Sequence, residues 1–252
     1  MSFGLPEISS STIQGDRNYQ QDFSLYTSNG NMLCAVLCDG MGGMESGETA
    51  SDIGVRHVIQ RFQNQPPAID EADTWLKTVF AEADARIATL RTPSGNVIGA
   101  GSTIIAVLVD TTHMQWGCVG DSRIYLLRNG VLTTLTRMHN YNLQLDNLFR
   151  SGAISAEERM RENSRGEALI SYLGVGGLPI IDTGTPFLLN PDDVIIMCSD
   201  GLYKSLDDEQ IQAIIEESGN NVKIMSDRLV DTAYRLATGK QDNTTVIAIR
   251  IS

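Results

Sequence analysis

Residues 101–135 read GSTIIAVLVDTTHMQWGCVGDSRIYLLRNGVLTTL, and no helical pattern interrupts them. The stretch divides into four short apolar runs bounded by turn-forming residues, which is typical of β-strands. Because consecutive strands without intervening helices favour antiparallel pairing, we expect an α+β layered sandwich rather than a doubly wound parallel sheet. The four runs are Thr103–Val109, Gln115–Val119, Arg123–Leu127 and Val131–Leu135.

The rest of the chain adds strands and helices around this centre. Further strands are predicted at Phe23–Thr27, Met32–Cys38, Val194–Cys198 and Thr244–Arg250. A helix is predicted over about residues 46–62, and Ser155 with Glu158 has the form of a capping box that opens a short helix. Two more helices follow from apolar residues at helical spacing, namely Leu76, Val79, Phe80, Ala83, Ile87 and Leu90, and then Met225, Leu229, Ala233 and Leu236.

No linker, repeat or low-complexity tract divides the chain, so residues 1–252 are predicted to form a single domain. The proline-containing stretch Gln63–Ala68 is interpreted as a connection between two helices. The segment Met138–Gly166 is long, polar and weakly periodic, which predicts a mobile, flap-like insertion bordering a site.

Composition narrows the possible functions. The formal charge of −12 repels nucleic acid and anionic lipid headgroups, so neither is expected as a partner. The four cysteines form no C-x-x-C pair and stand in apolar runs, which indicates reduced thiols and a cytoplasmic location. The N-terminus lacks the pattern of a signal peptide, and no apolar stretch reaches the roughly 20 residues that a membrane span needs.

Four aspartates stand at the ends of predicted strands. Asp39, Asp121 and Asp200 each follow an apolar run, and Asp242 comes just before the strand that begins at Thr244. A single Asp-Gly pair is usually only a turn. Several carboxylates at one edge of a sandwich repel each other unless they are protonated or neutralised, and oxygen ligands without cysteine or histidine favour Mg²⁺ or Mn²⁺.

Two more features complement these carboxylates. The glycines from Gly40 to Gly43 would let the backbone approach a metal ion closely, so that the Gly40 carbonyl could reach it. A flexible hairpin loop is the alternative interpretation of this run. Arg17 lies five residues before Asp22, and its guanidinium could bind two oxygens of a phosphate group. Taken alone, Arg17 reads as a surface arginine.

Six motifs in order resemble those of one family, the metal-dependent protein serine/threonine phosphatases, also called the PPM or type 2C family, in its short bacterial form. The resemblance covers nearly the whole chain, and its strength lies in the order of the motifs rather than in any one of them. The motifs are Gly15–Asp22, Cys38–Gly43, Gly101–Thr103, Gly120–Tyr125, Ser199–Leu202 and Asp242–Val246.

The resemblance implies a four-layer α-β-β-α sandwich in which two antiparallel sheets are flanked by helices. It also implies two Mn²⁺ or Mg²⁺ ions, held by Asp39, the Gly40 carbonyl, Asp200 and Asp242. A hydroxide formed on these ions would attack the phosphorus of phosphoserine or phosphothreonine. The remaining implied roles are phosphate binding by Arg17, orientation of water by Asp22, and a possible weak third ion at Asp121.

The chain departs from the family pattern at three places. Gln20 and Gln21 precede Asp22, where the family usually has Asn-Glu or Asn-Gln. His139 lies in a Met-His-Asn run instead of Asp-His-Ser; it is a possible proton donor, but a plain loop histidine is the simpler interpretation. Lys204 replaces an acidic or polar residue four positions after Asp200, and its charge would weaken a third metal site unless the side chain turns outward.

Rival functions remain. Cysteine-nucleophile chemistry needs Cys-x₅-Arg, which the chain lacks, and a histidine-rich dinuclear site needs more than three histidines. A catalytically silent phosphatase-like module that binds phosphoproteins is the main alternative, and a Ca²⁺-stabilised structural domain is a weaker one. For the enzyme, the expected partners are phosphorylated proteins and a cognate serine/threonine kinase, and the expected state is a monomer that acts in signalling.

Overall fold

A computed structural model describes residues 4–42, 45–92 and 94–252 of the chain. Two antiparallel sheets lie face to face. The first contains, in spatial order, β1 (Glu7–Ile13), β12 (Thr244–Arg250), β11 (Val194–Cys198), β7 (Arg123–Arg128) and β8 (Val131–Thr134). The second contains β10 (Phe187–Leu188), β6 (His113–Val119), β5 (Ile104–Val109), β3 (Met32–Met41) and β2 (Asp22–Asn29), with β4 (Gly101–Ser102) beside β3 and β9 (Asp182–Thr183) beside β6.

Helices cover the outer face of each sheet. The helices of the described residues are, in chain order, α1 (Glu45–Asn64), α2 (Ala72–Ala88), α3 (Tyr141–Arg150), α4 (Ala156–Glu162), α5 (Asp200–Tyr203), α6 (Asp208–Ser218) and α7 (Val222–Leu236); α1, α2, α6 and α7 are the ones that cover the sheets. Apolar side chains of α1 and α2 form one core with the second sheet, and those of α6 and α7 form another with the first sheet. The predicted four-layer sandwich is therefore confirmed. No helix in the described ranges is long and apolar enough to cross a membrane.

Strand β3 shows why the layers form. Leu33, Ala35 and Leu37 point into the core between the two sheets, whereas Cys34 and Val36 alternate with them and face the helices. Both faces are buried, so the strand is a continuous apolar run rather than an alternating one. Burying a leucine side chain completely stabilises the fold by about 2 kcal/mol.

Most predicted elements occur close to their predicted bounds, including the Ser155 capping box at the start of α4. The sequence interpretation missed the helices α3, α5 and α6, the strand β1 and the two-residue strands β4, β9 and β10. The sequence of β1, EISSSTI, carries three consecutive serines, so its apolar pattern is weak although it pairs with β12 along its whole length. The segment 138–166 contains α3 and α4, and its mobility stays a prediction. The single domain over residues 1–252 also stays a prediction.

One placement was wrong. Asp39 does not end its strand, because β3 continues to Met41. The extension occurs because Gly40 and Met41 pair with Ser102 and Gly101 of β4. Gly43, which completes the glycine-rich run, lies outside the described residues.

Candidate metal and phosphate site

Antiparallel pairing gathers the predicted acids at one end of the sandwich. Strand β11 ends beside the start of β12, so Asp200, just after β11, and Asp242, just before β12, belong to the same edge. In the second sheet, Asp22 and Asp39 are direct cross-strand partners. Asp121 follows β6, in the turn that leads to β7.

The charges of these carboxylates act on one another. Burial raises the pKa of Asp22 to about 7, although the hydrogen bond from Ser199 lowers it in part. Loss of hydration, followed by repulsion from Asp22 and Asp200, raises the pKa of Asp39 well above its ordinary value. The two acids are therefore poorly stabilised as anions in the protein alone, as expected for carboxylates that share a site.

Asp22 also has an unused acceptor. Its Oδ2 accepts a hydrogen bond from Ser199 Oγ at 2.7 Å. Its Oδ1 is buried and has no hydrogen-bond partner in the described part of the chain. A buried acceptor without a donor is unfavourable, and a carboxylate oxygen placed in this way suits a hard divalent cation or its bound water.

Two basic side chains form ion pairs with Asp242 and Asp200. Arg17 Nη2 lies 2.5 Å from Asp242 Oδ2, and Lys204 Nζ lies 2.5 Å from Asp200 Oδ2. Over the ranges that the structure describes, no three acidic, histidine or cysteine side chains converge closely enough to hold an ion as they stand. The side chains of Arg17 and Lys204 are 57% and 48% exposed, so both pairs are of the weak, solvent-screened kind.

Asp121 lies on the Lys204 side of the cluster. Burial and then the charge of Asp200 raise the pKa of Asp121 to about 6, against the opposing effect of Lys204. Lys204 therefore faces the carboxylates, which favours the interpretation that its charge acts on this position over the alternative that its side chain turns outward.

The backbone at Gly40 requires glycine. Its N–H donates to the Gln21 carbonyl at 3.0 Å. A Cβ at this position would lie 2.2 Å from the Gly47 carbonyl oxygen and 2.6 Å from that of Gln21. The backbone at Gly40 therefore packs closely against its neighbours, as expected. The role of the Gly40 carbonyl as a metal ligand stays a prediction.

Three polar residues support the site, although the sequence interpretation quoted them only as members of motifs. Ser199 Oγ binds Asp22 and accepts the N–H of Thr245. Thr103 Oγ1 accepts the N–H of Asp39 at 3.0 Å. Asn243 donates to the carbonyl of Tyr19, which fixes the loop that carries Arg17. In the sequence, all three share one feature that could have identified them, namely a polar residue directly beside an apolar strand.

His139 occupies a structural position. It is fully buried; its Nδ1 accepts the N–H of Gly120 at 3.2 Å, and its Nε2 lies 3.0 Å from Asp182 Oδ2. Burial also lowers its pKa. A side chain enclosed in this way joins the β6–β7 turn to β9, which supports the plain structural interpretation over that of a proton donor.

Known proteins share this arrangement of sheets and helices. A sequence model of the family described as protein phosphatase 2C matches residues 10–231 of this chain. The serine/threonine phosphatase stp of Listeria innocua is 30% identical over 217 residues, which cover 85% of this chain and 82% of that protein. The solved structure of the S. agalactiae serine/threonine phosphatase aligns with a TM-score of 0.84 and 25% identity, over 98% of this chain and 100% of that chain.

A second solved structure bears on the metal site. The catalytic domain of the serine/threonine protein phosphatase PstP, in complex with two manganese ions, aligns with a TM-score of 0.75 and 25% identity over 98% of each chain. The family match runs from within β1 to within α7 and includes the acidic cluster except for Asp242. The chain belongs to the protein phosphatase 2C family.

Proposed function

We infer that this chain is a metal-dependent protein serine/threonine phosphatase. The observation that carries the inference is the grouping of mutually repelling carboxylates, with an arginine beside them, at one edge of the sandwich. Family membership and the serine/threonine phosphatases among its relatives support the same activity over that of a silent binding module. A binding module has no need of an acidic cluster whose charges oppose folding.

Divalent cations are the cofactors of this chemistry, and we assign two of them to this edge of the sandwich. Asp39 would be shared by both cations, Asp200 and Asp242 would complete one position, and the Gly40 carbonyl would belong to the other. When bound, the cations activate water for attack on phosphorus and neutralise charge on the phosphate. Asp22 holds a water molecule through its unused Oδ1. Arg17, which pairs with Asp242 in the protein alone, binds phosphate oxygens once that carboxylate has another partner.

Phosphoserine and phosphothreonine proteins are the proposed substrates. A cognate serine/threonine kinase, a cytoplasmic location and a monomeric state are further parts of this proposal. The strongly acidic surface supports the expectation that nucleic acid and anionic membranes are not partners.

Chelation tests the proposal directly. Hydrolysis of a phosphothreonine peptide should require added Mn²⁺ or Mg²⁺ and should stop in EDTA, with recovery when excess metal is restored. Release of inorganic phosphate is the measurement. Turnover that persists after exhaustive dialysis against a chelator would contradict the mechanism, and a folded protein that binds metal without turnover would favour the silent module.

Replacing Arg17 with alanine should raise KM by about tenfold or more, because a bidentate, charge-assisted contact to phosphate is lost in the ground state as well as in the transition state. Metal affinity measured by calorimetry should not fall. Arg56→Ala is the matched control, since Arg56 is an exposed arginine that also pairs with an aspartate, Asp52. A decrease in kcat with unchanged KM would contradict the assigned role.

A third ion is expected to bind weakly. Lys204 Nζ contacts Asp200 and adds positive charge beside Asp121, and both acids belong to the proposed third position. We expect Lys204→Asp to tighten a third Mn²⁺ while leaving the first two unchanged. Anomalous scattering from Mn²⁺-soaked crystals measures the occupancy, and equal third-site occupancy in both proteins would show that Lys204 has no influence.

A further inference from the structure

Asp84 is a buried acid that the proposed chemistry does not use. It lies on the core-facing side of α2, between Phe80 and Ile87, and is only 2% exposed. Its carboxylate accepts three backbone N–H groups, from Gly174 at 2.7 Å, Gly176 at 3.1 Å and Gly177 at 2.6 Å. A carboxylate on the core face of a helix is costly unless such donors satisfy it.

The three donors belong to one tight turn, which we call the glycine loop (residues 174–177). Gly174, Gly176 and Gly177 have φ values of +98°, +79° and +131°, a region that residues with side chains rarely adopt. The loop also packs closely, because a Cβ on Gly174 would lie 2.3 Å from the Ala100 carbonyl oxygen. Asp84 therefore anchors, through three hydrogen bonds, a backbone conformation that residues with side chains rarely adopt.

The glycine loop is connected to the metal site by consecutive hydrogen bonds. Leu173, which directly precedes the loop, exchanges two backbone hydrogen bonds with Ser102 of β4, at 2.8 and 3.1 Å. Ser102 Oγ donates to the Asp39 carbonyl at 2.9 Å, and Ser102 is the cross-strand partner of Gly40. Two steps, from Leu173 to Ser102 and from Ser102 to Asp39 and Gly40, therefore connect the loop to the residues assigned to the cations.

We propose that Asp84 is a positioning residue for the metal site. It holds the glycine loop against β4, and β4 in turn sets the backbone of Asp39 and Gly40. An acid in the outer helical layer thereby determines how well the site is formed before metal binds. The assignment rests on the proposed function, because it concerns the same ligands.

A graded pair of variants tests the proposal. Asp84→Asn keeps the Oδ1 acceptor used by Gly174 and Gly176 but replaces the Oδ2 acceptor used by Gly177, whereas Asp84→Ala removes all three contacts. Calorimetric titration of the metal-free proteins with Mn²⁺ should give a Kd raised about threefold for Asp84→Asn and at least about tenfold for Asp84→Ala. The KM for phosphopeptide at saturating Mn²⁺ should stay unchanged.

Asp193→Asn is the matched control. Asp193 is equally buried and binds Arg128, at distances of 2.8 and 2.5 Å, but it precedes β11 at the end of the strand opposite Asp200. This variant should lower the melting temperature without changing the Mn²⁺ Kd, since no hydrogen-bonded connection to Asp39 is broken.

The outcomes separate the two hypotheses. If the Asp84 variants lose thermal stability as Asp193→Asn does but bind Mn²⁺ within twofold of the unmodified protein, Asp84 is only structural and the proposal is overturned. If Asp84→Ala does not fold, the Asn variant decides alone. An unmodified protein that neither binds Mn²⁺ nor hydrolyses phosphopeptide would refute the proposed function itself, before any variant is compared.

Discussion

Replacing Asp39 with asparagine should lower kcat/KM for a phosphopeptide by about a thousandfold, equivalent to several kcal/mol of transition-state stabilisation. Asp39 is surrounded by the charges of Asp22, Asp200, Asp121 and Asp242, so it is the central carboxylate of the cluster. The amide has the same size but no charge, and it weakens both proposed cation positions together. Phosphate release at increasing Mn²⁺ concentration is the measurement.

A comparison with Asp242→Asn tests the assignment of Asp39 as the shared ligand. Asp242 is proposed to contact one cation only, so excess Mn²⁺ should restore part of the activity of Asp242→Asn and little of that of Asp39→Asn. Asp52→Asn provides the control, because Asp52 is half-buried in α1 and pairs only with Arg56 among the described ion pairs. Identical responses of the two site variants to metal would refute the bridging role.

The second large effect is expected from Gly40→Ala. A Cβ placed 2.2 Å from the Gly47 carbonyl oxygen meets rigid backbone, so β3 or the start of α1 must shift. We expect a loss of about 3 kcal/mol of stability, as for a severe overpacking substitution, which is roughly 10 °C in melting temperature for a chain of this size. Activity should fall with it, because the shift displaces the carbonyl assigned to metal.

Calorimetric melting and Mn²⁺ titration of Gly40→Ala measure these two effects. Gly239→Ala is the control, since a Cβ at Gly239 would have no heavy atom within 4 Å. Unchanged melting temperature and metal affinity in Gly40→Ala would show that the backbone has more room than the structure indicates, and the requirement for glycine would be wrong.

The acidic edge could be predicted from sequence because each acid adjoins an apolar run. Asp121, Asp200 and Asp242 adjoin strands as expected, and antiparallel pairing then brings them to the same end. The pairing of Arg17 with Asp242 could not be predicted, because 225 residues separate them and only the sheet topology brings them together. Local periodicity carries no information on such contacts.

Other features were missed for local reasons. Strand β1 lacks an apolar alternation, and α6 was overlooked although Asp207 and Gln210 form a capping box at its start. The buried carboxylate of Asp84 has no recognisable sequence signal, because its donors are backbone amides and any helix can carry an acid. For His139 the sequence left a proton donor open beside the simpler loop histidine, because its burial cannot be read from local pattern.

The pairing of β1 with β12 has a kinetic consequence. Every residue pair in this ladder, from Glu7 with Arg250 to Ile13 with Thr244, closes a loop of more than 200 residues. Loop-closure entropy delays such contacts, and folds rich in distant pairings form slowly. The loop that carries Arg17 and the residues around Asp242 emerge from the same end of this ladder. We therefore expect catalytic competence to be gained late in folding, after the local hairpins β5–β6 and β7–β8 have formed.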